Sequence, residues 1–111
     1  LEDLVFASGS SDLAEGDYAS LKDLAGWLQA HPDRTVTLVG HTDATGGLAS
    51  NIALSKLRAA SVRQYLLTGF DLPASRIGAE GIGYLAPRDS NLTDAGRQRN
   101  RRVEVMLTST R

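Results

Sequence analysis

Apolar residues recur along this chain in two rhythms, and each predicts a different element. Leu21, Leu24, Ala25 and Leu28 follow the i, i+3, i+4, i+7 spacing of one helical face. That helix is expected to start near residues 14–17, where Glu15 and Asp17 suit the positive end of the helix dipole, and to stop at Pro32. Trp27 borders the face and reads as a packing residue rather than a ligand platform. Leu4, Val5 and Phe6 form a short apolar run, the expected first strand, followed by a small-residue loop over residues 7–11. Residues 35–41 alternate instead, with Val36 and Leu38 on one face and Thr35, Thr37 and Val39 on the other, as in a strand.

A loop over residues 42–47, broken by Gly46 and Gly47, leads into a second, longer helix. Ser50 or Asn51 is its expected N-cap, Thr68 its approximate end and Gly69 the residue just beyond. Residues 76–82 read as a strand, with Gly78 and Gly81 marking bulges or close backbone approach. Residues 85–92 form a loop containing Pro87, and residues 93–99 a short helix. Residues 102–108 alternate again, with Val103, Val105 and Leu107 inward and Glu104 and Met106 outward. The order β-α-β-α-β-short α-β predicts an α+β fold. Its mixed four-stranded sheet carries two main helices and a short third, with a parallel crossover and an antiparallel last strand.

The segment over residues 35–65 breaks its own pattern. With Leu54 at zero and about 100° per residue, Leu57, Ser61, Val62 and Tyr65 fall within roughly 80° of it. Arg58 falls at about 40°, inside this stripe, whereas Lys56 points away at about 200°. An unpaired buried guanidinium would cost several kcal/mol or more, so Arg58 must reach water or a partner. The nearest acid by chain topology is Asp43, in the loop after the strand. An acid, a guanidinium and the free amides of a helix N-terminus in one place suit a zwitterion, with its ammonium on Asp43 and its carboxylate on Arg58.

Composition narrows the alternatives. The 111 residues are one domain's worth, and 41% hydrophobic content supports one core. A formal net charge of −1 gives no broad basic field for nucleic acid or an anionic membrane. No cysteine is present for disulfides or thiolate zinc sites, and no apolar run approaches the ~20 residues of a membrane helix. The chain opens at Leu1 without methionine, so it is expected to be a piece of a longer protein. His41 and Asp43 form an H-x-D pair, but His31 is the only other histidine and no third ligand stands at zinc spacing. A G-x-S-x-G elbow is absent, and Gly78, Gly81 and Gly83 do not have dinucleotide-binding spacing. No enzyme activity, cofactor or metal is therefore expected. Arg97, Arg99, Arg101 and Arg102 lack interleaved aromatics for RNA. Arg97 and Arg99 read as solvated, while Arg101 or Arg102 is placed to reach the acidic pole or a ligand carboxylate.

Several motifs together carry a family resemblance. They are Gly40-His41-Thr42-Asp43; Asn51, Leu54-Ser55, Arg58-Ala59, Val62 and Tyr65-Leu66; Gly81-Ile82-Gly83, Pro87 and Asn91; then Gly96-Arg97 and Asn100-Arg101-Arg102-Val103-Glu104. From about Leu4 to Leu107 the chain resembles the OmpA-like C-terminal domains, whose relatives include peptidoglycan-associated lipoproteins and flagellar stator B proteins. The resemblance implies a single domain over residues 1–111 that binds peptidoglycan without covalent chemistry. Asp43 and Arg58 would hold the diaminopimelate of the stem peptide, and Thr45, Asn51, Leu54 and Arg101 would line or support the pocket. It also implies a periplasmic, outer-membrane-associated setting in a Gram-negative envelope, a parent protein anchored through a segment outside this chain, and a homodimer as one option. One departure stands out. Where many members carry F-D-x-[DN], this chain has Phe6-Ala7-Ser8-Gly9, and a polar pocket contact is missing or replaced by Ser8 or the Gly9 amide. This departure favours an alternative reading, a protein-interaction domain that keeps the fold and has lost the wall ligand.

Overall fold

The computed structural model describes residues 4, 6–7, 9–13, 18–70 and 72–107. Its helices are α1 (Ala19–Ala30), α2 (Leu48–Phe70) and α3 (Asp94–Asn100), and its strands β1 (Val36–Gly40), β2 (Ile77–Gly81) and β3 (Val103–Leu107). A short 3-10 turn, Ala74–Arg76, precedes β2. The strand order is β2-β1-β3. β1 runs parallel to β2, from Val36 opposite Ile77 to Gly40 opposite Gly81, and antiparallel to β3. The sequence-based order of pairing thus holds: α2 is the crossover between the parallel strands and the last strand returns antiparallel.

The described sheet has three strands, where four were expected. Leu4 and Phe6 are buried but stand outside any strand, and Val5 lies outside the described residues. The Phe6 and Ala7 carbonyls accept from Arg101 and Arg58 side chains. The N-terminal run is therefore tied to the fold in part by guanidinium groups. The core gathers Leu4, Phe6, Leu21, Leu28, Leu38, Val62, Leu66, Ile77 and Val103. In β3 only Val103 is buried. Val105 and Leu107, expected to face inward, are 37% and 50% exposed, because α2 lies over β2 and β1 and covers little of β3.

α1 buries Leu21, Ala25 and Leu28 as its spacing required, and Leu24 packs at the margin. Its expected start at residues 14–17 lies outside the described residues. Trp27 sits at the boundary, 36% exposed and stacked on His31 with ring centroids 4.5 Å apart. α3 is capped by Thr93, whose hydroxyl accepts from the Gly96 amide at 2.9 Å.

α2 differs most from expectation. It begins at Leu48, so Ser50 and Asn51 lie inside its first turn, and it continues through Gly69 to Phe70. Its buried side is Asn51, Ser55, Arg58, Ala59, Val62 and Leu66, while Leu57 is 56% exposed. The face is rotated toward small residues because the helix lies directly on the strand ends. A Cβ on Gly40 would stand 1.8 Å from the Ser55 carbonyl oxygen, and one on Gly81 would stand 2.3 Å from the Lys56 nitrogen. These two glycines are register partners, and together they let α2 seat its N-terminal half over β1 and β2.

Candidate functional site

The site forms where β1 ends. His41, Thr42 and Asp43 continue the strand as buried residues, and residues 44–50 then emerge to solvent. The Thr42 amide donates to the Gly83 carbonyl at 2.9 Å and the His41 amide to the Arg102 carbonyl at 2.7 Å, so the loop base is held from both sides.

Asp43 is 4% exposed and makes two kinds of bond. Its Oδ1 accepts from the Thr45 amide at 3.0 Å, a local turn that asparagine and aspartate favour. Its Oδ2 accepts from Arg101 Nη1 at 2.7 Å, and Arg101 Nε donates to the Phe6 carbonyl at 2.9 Å. Burial alone would raise the Asp43 pKa. The bonds from Arg101 and Thr45, with the Arg101 charge, outweigh it and hold the carboxyl below the ordinary aspartate value.

Arg58 is fully buried, and its partner is not Asp43. Nε donates to the Ser10 carbonyl at 2.8 Å, Nη1 to the His41 carbonyl at 3.1 Å and Nη2 to the Ala7 carbonyl at 3.1 Å. The guanidinium also lies 5.2 Å from the centroid of the Phe6 ring. Asp43, the nearest acid to Arg58 by chain topology, pairs instead with Arg101, one of the two arginines the sequence placed within reach of the acidic pole. Arg101 arrives from the C-terminal end of α3, while α2 carries Arg58 beneath the loop base, where it reaches the His41 carbonyl. Burial and the nearby Arg101 charge lower the Arg58 pKa to about 10, with Asp43 opposing, so the group stays protonated at neutral pH. Two guanidiniums and one carboxylate leave this cluster of described residues one positive charge in excess.

The remaining expected residues surround this cluster. Thr45 is exposed. Asn51 is 5% exposed and donates from Nδ2 to the Thr45 carbonyl at 2.8 Å and the Gly47 carbonyl at 3.0 Å, bracing the loop from below. Leu54 is half-buried on α2. Arg97 and Arg99 pair with Asp94 and Asp89, away from Asp43.

The H-x-D pair separates. The His41 side chain, 3% exposed, turns to Glu104, its Nε2 3.4 Å from Oε2 without hydrogen-bond geometry, while Arg102 Nε bonds Glu104 Oε1 at 2.8 Å. Burial, then the Arg102 charge, lowers the His41 pKa against the pull of Glu104. His31 instead sits at the end of α1, its Nδ1 2.8 Å from the Trp27 carbonyl. Among the described residues no three histidine, aspartate or glutamate side chains converge as a metal would need.

The fold and site together are a three-stranded α+β domain in which one helix lies across the strand ends and a braced loop places Asp43 beside two arginines, Arg58 and Arg101. The chain belongs to the OmpA family, which residues 5–101 match. It is 38% identical over 103 residues to outer membrane porin F of Pseudomonas aeruginosa, covering 93% of this chain and 29% of that protein. It is likewise 38% identical over 104 residues to the peptidoglycan-binding protein ArfA of Mycobacterium tuberculosis, covering 94% and 32%. The peptidoglycan-associated lipoprotein from Burkholderia pseudomallei has the same fold, with a TM-score of 0.85 and 27% identity over 95% of this chain and 88% of that one. The chain therefore spans about a third of the length of these curated relatives.

Proposed function

We propose that this chain is a peptidoglycan-binding module of a longer envelope protein, and that it recognises the diaminopimelate of the stem peptide by non-covalent contacts. The observation that carries the reading is the charge of the site: Asp43, Arg58 and Arg101 meet at the base of an exposed, braced loop with one cation in excess. Diaminopimelate offers an ammonium for Asp43 and a carboxylate for the excess cation. Its methylene stem fits against Leu54, and Thr45, Asn51 and the first-turn amides of α2 hold the loop that frames it. Arg58 is held by three neutral carbonyls, for which a ligand carboxylate is the stronger acceptor. Binding entropy offsets much of this gain, so affinity for free diaminopimelate is modest, and tethering to a polymeric wall raises it by avidity. The relatives are named as outer-membrane proteins and as a mycobacterial protein, so the parent's place is the cell envelope, on its wall-facing side.

The test is an NMR titration with meso-diaminopimelate alongside co-sedimentation with purified sacculi. Saturable shifts over residues 43–54, abolished by Asp43→Asn and not restored in Arg58→Lys, are expected, because an ammonium lacks the planar fork. Wild-type binding by Arg58→Lys overturns the guanidinium's role.

A second reading has its own observation. Arg58 has no exposed surface, and two of its carbonyl partners, Ala7 and Ser10, lie within and directly after the divergent segment Phe6-Ala7-Ser8-Gly9. If Arg58 only ties that segment down, the domain is an interaction module without a wall ligand. A folded wild type that neither sediments with sacculi nor shifts with muropeptides would select this reading.

A further inference from the structure

Asp43 is held by its side chain, but the peptide after it is held by a separate device. The Ala44 amide donates to Asn91 Oδ1 at 3.2 Å. The same oxygen accepts from Asn100 Nδ2 at 2.8 Å. Both bonds use Asn91 as an acceptor, which fixes its amide orientation. Asn100 is fully buried. Its Oδ1 accepts from the Arg88 and Asp89 amides at 2.8 and 2.9 Å, and Nδ2 also donates to the Asp89 carbonyl at 2.9 Å. Every hydrogen-bonding site of the Asn100 amide is occupied, so it presents its N–H to Asn91 in one orientation. Asn100 also directly precedes Arg101, whose guanidinium grips Asp43. Two arms leave the end of α3 and close on consecutive residues of the exposed loop.

We propose that Asn100 and Asn91 are positioning residues for the wall ligand: a two-amide relay that pre-sets the loop at Ala44 so that it does not have to be ordered on binding. This rests on the peptidoglycan reading above. An exposed loop pinned before binding saves the cost of ordering it, and that saving appears as affinity.

The relay makes an asymmetric prediction. At Asn91 only the acceptor oxygen is used, so Asn91→Asp keeps both bonds and Asn91→Ala loses them. At Asn100 the donor is essential, so Asn100→Asp sets an oxygen against Asn91 Oδ1 and the Asp89 carbonyl. The dissociation constant for meso-diaminopimelate is measured by NMR titration, with Ala44 amide hydrogen exchange on the ligand-free protein and circular dichroism to verify folding. Asn91→Ala is expected to weaken binding about five- to tenfold, the worth of one ordinary hydrogen bond, and to speed Ala44 exchange. Asn91→Asp is expected to keep Ala44 protected and to bind within about twofold of wild type, while Asn100→Asp loses both properties. Wild-type affinity in a folded Asn91→Ala protein overturns the relay and leaves the wall reading standing. A wild type that binds neither diaminopimelate nor muropeptide overturns both.

Discussion

Arg58 and His41 show how differently two buried polar residues can be accommodated in one small core. Arg58 stays charged because three carbonyls and a ring face replace its water. His41 is held neutral, since burial and Arg102 disfavour its protonated form more than Glu104 favours it. Its folded pKa is below the unfolded value of 6.5, so its contribution to stability is present above pH 6.5 and is lost as pH falls through the folded value. Asp43 and Glu104 have lowered pKa values too, and their contributions disappear further down, below the ordinary values of 3.8 and 4.5. Urea midpoints taken from pH 8 to pH 3 should therefore fall in two stages, and His41→Gln should flatten the upper one. An unchanged upper stage in that variant would remove His41 as its source. Arg58 itself was legible as an anomaly, because helical arithmetic placed a cation on an apolar face. Its partners were not legible, because carbonyls some 50 positions away leave no mark in a side-chain pattern.

At the scale of elements, α2 is seated by glycines rather than by its own leucines. Its apolar stripe pointed to Leu54 and Leu57. The helix instead turned its small residues, Ser55 and Ala59, to the sheet, because Gly40 and Gly81 leave room for backbone and little else. Gly40→Ala should push a methyl group into the Ser55 carbonyl and cost about 3 kcal/mol or prevent folding, read by thermal unfolding. Gly69→Ala is the opposite case. Gly69 lies inside the helix with nothing within 4 Å of an added Cβ, so that change should stabilise by about 0.5–1 kcal/mol. A destabilised Gly69→Ala would mean that the helix ends there, as the bare sequence suggested. Elements with clean periodicity, α1 and β1, matched their expected faces. Elements whose packing depends on a neighbour's missing side chain did not.

For the whole molecule, the N-terminal run closes the structure. Leu4 and Phe6 are 3% and 0% exposed, and the carbonyls of Phe6, Ala7, Ser10 and Ser11 accept from Arg101, Arg58 twice, and Ser61. A chain starting at Leu13 would leave those donors unmet and forgo burial worth about 1.5–3 kcal/mol for each apolar side chain, against a total stability of roughly 5–15 kcal/mol. It should lose its cooperative urea transition and the dispersed amide spectrum of the intact chain. Cooperative unfolding of the truncated chain would show that α1, α2 and the sheet form a self-sufficient core.

The sequence by itself determined the element order from α1 to β3, the parallel crossover and the antiparallel return, and it singled out Arg58 as a cation on a buried helix face. Periodicity and turn residues act locally, and the motif spacing from Gly40 to Glu104 belongs to one family. Only the tertiary structure decided who pairs with whom. Arg101 rather than Arg58 took Asp43, Arg58 took carbonyls, and Asn100 reached Ala44 through Asn91. Those choices follow from where helix ends meet strand ends. That meeting was decided by two glycines and the packing above them, which no one-dimensional pattern encodes.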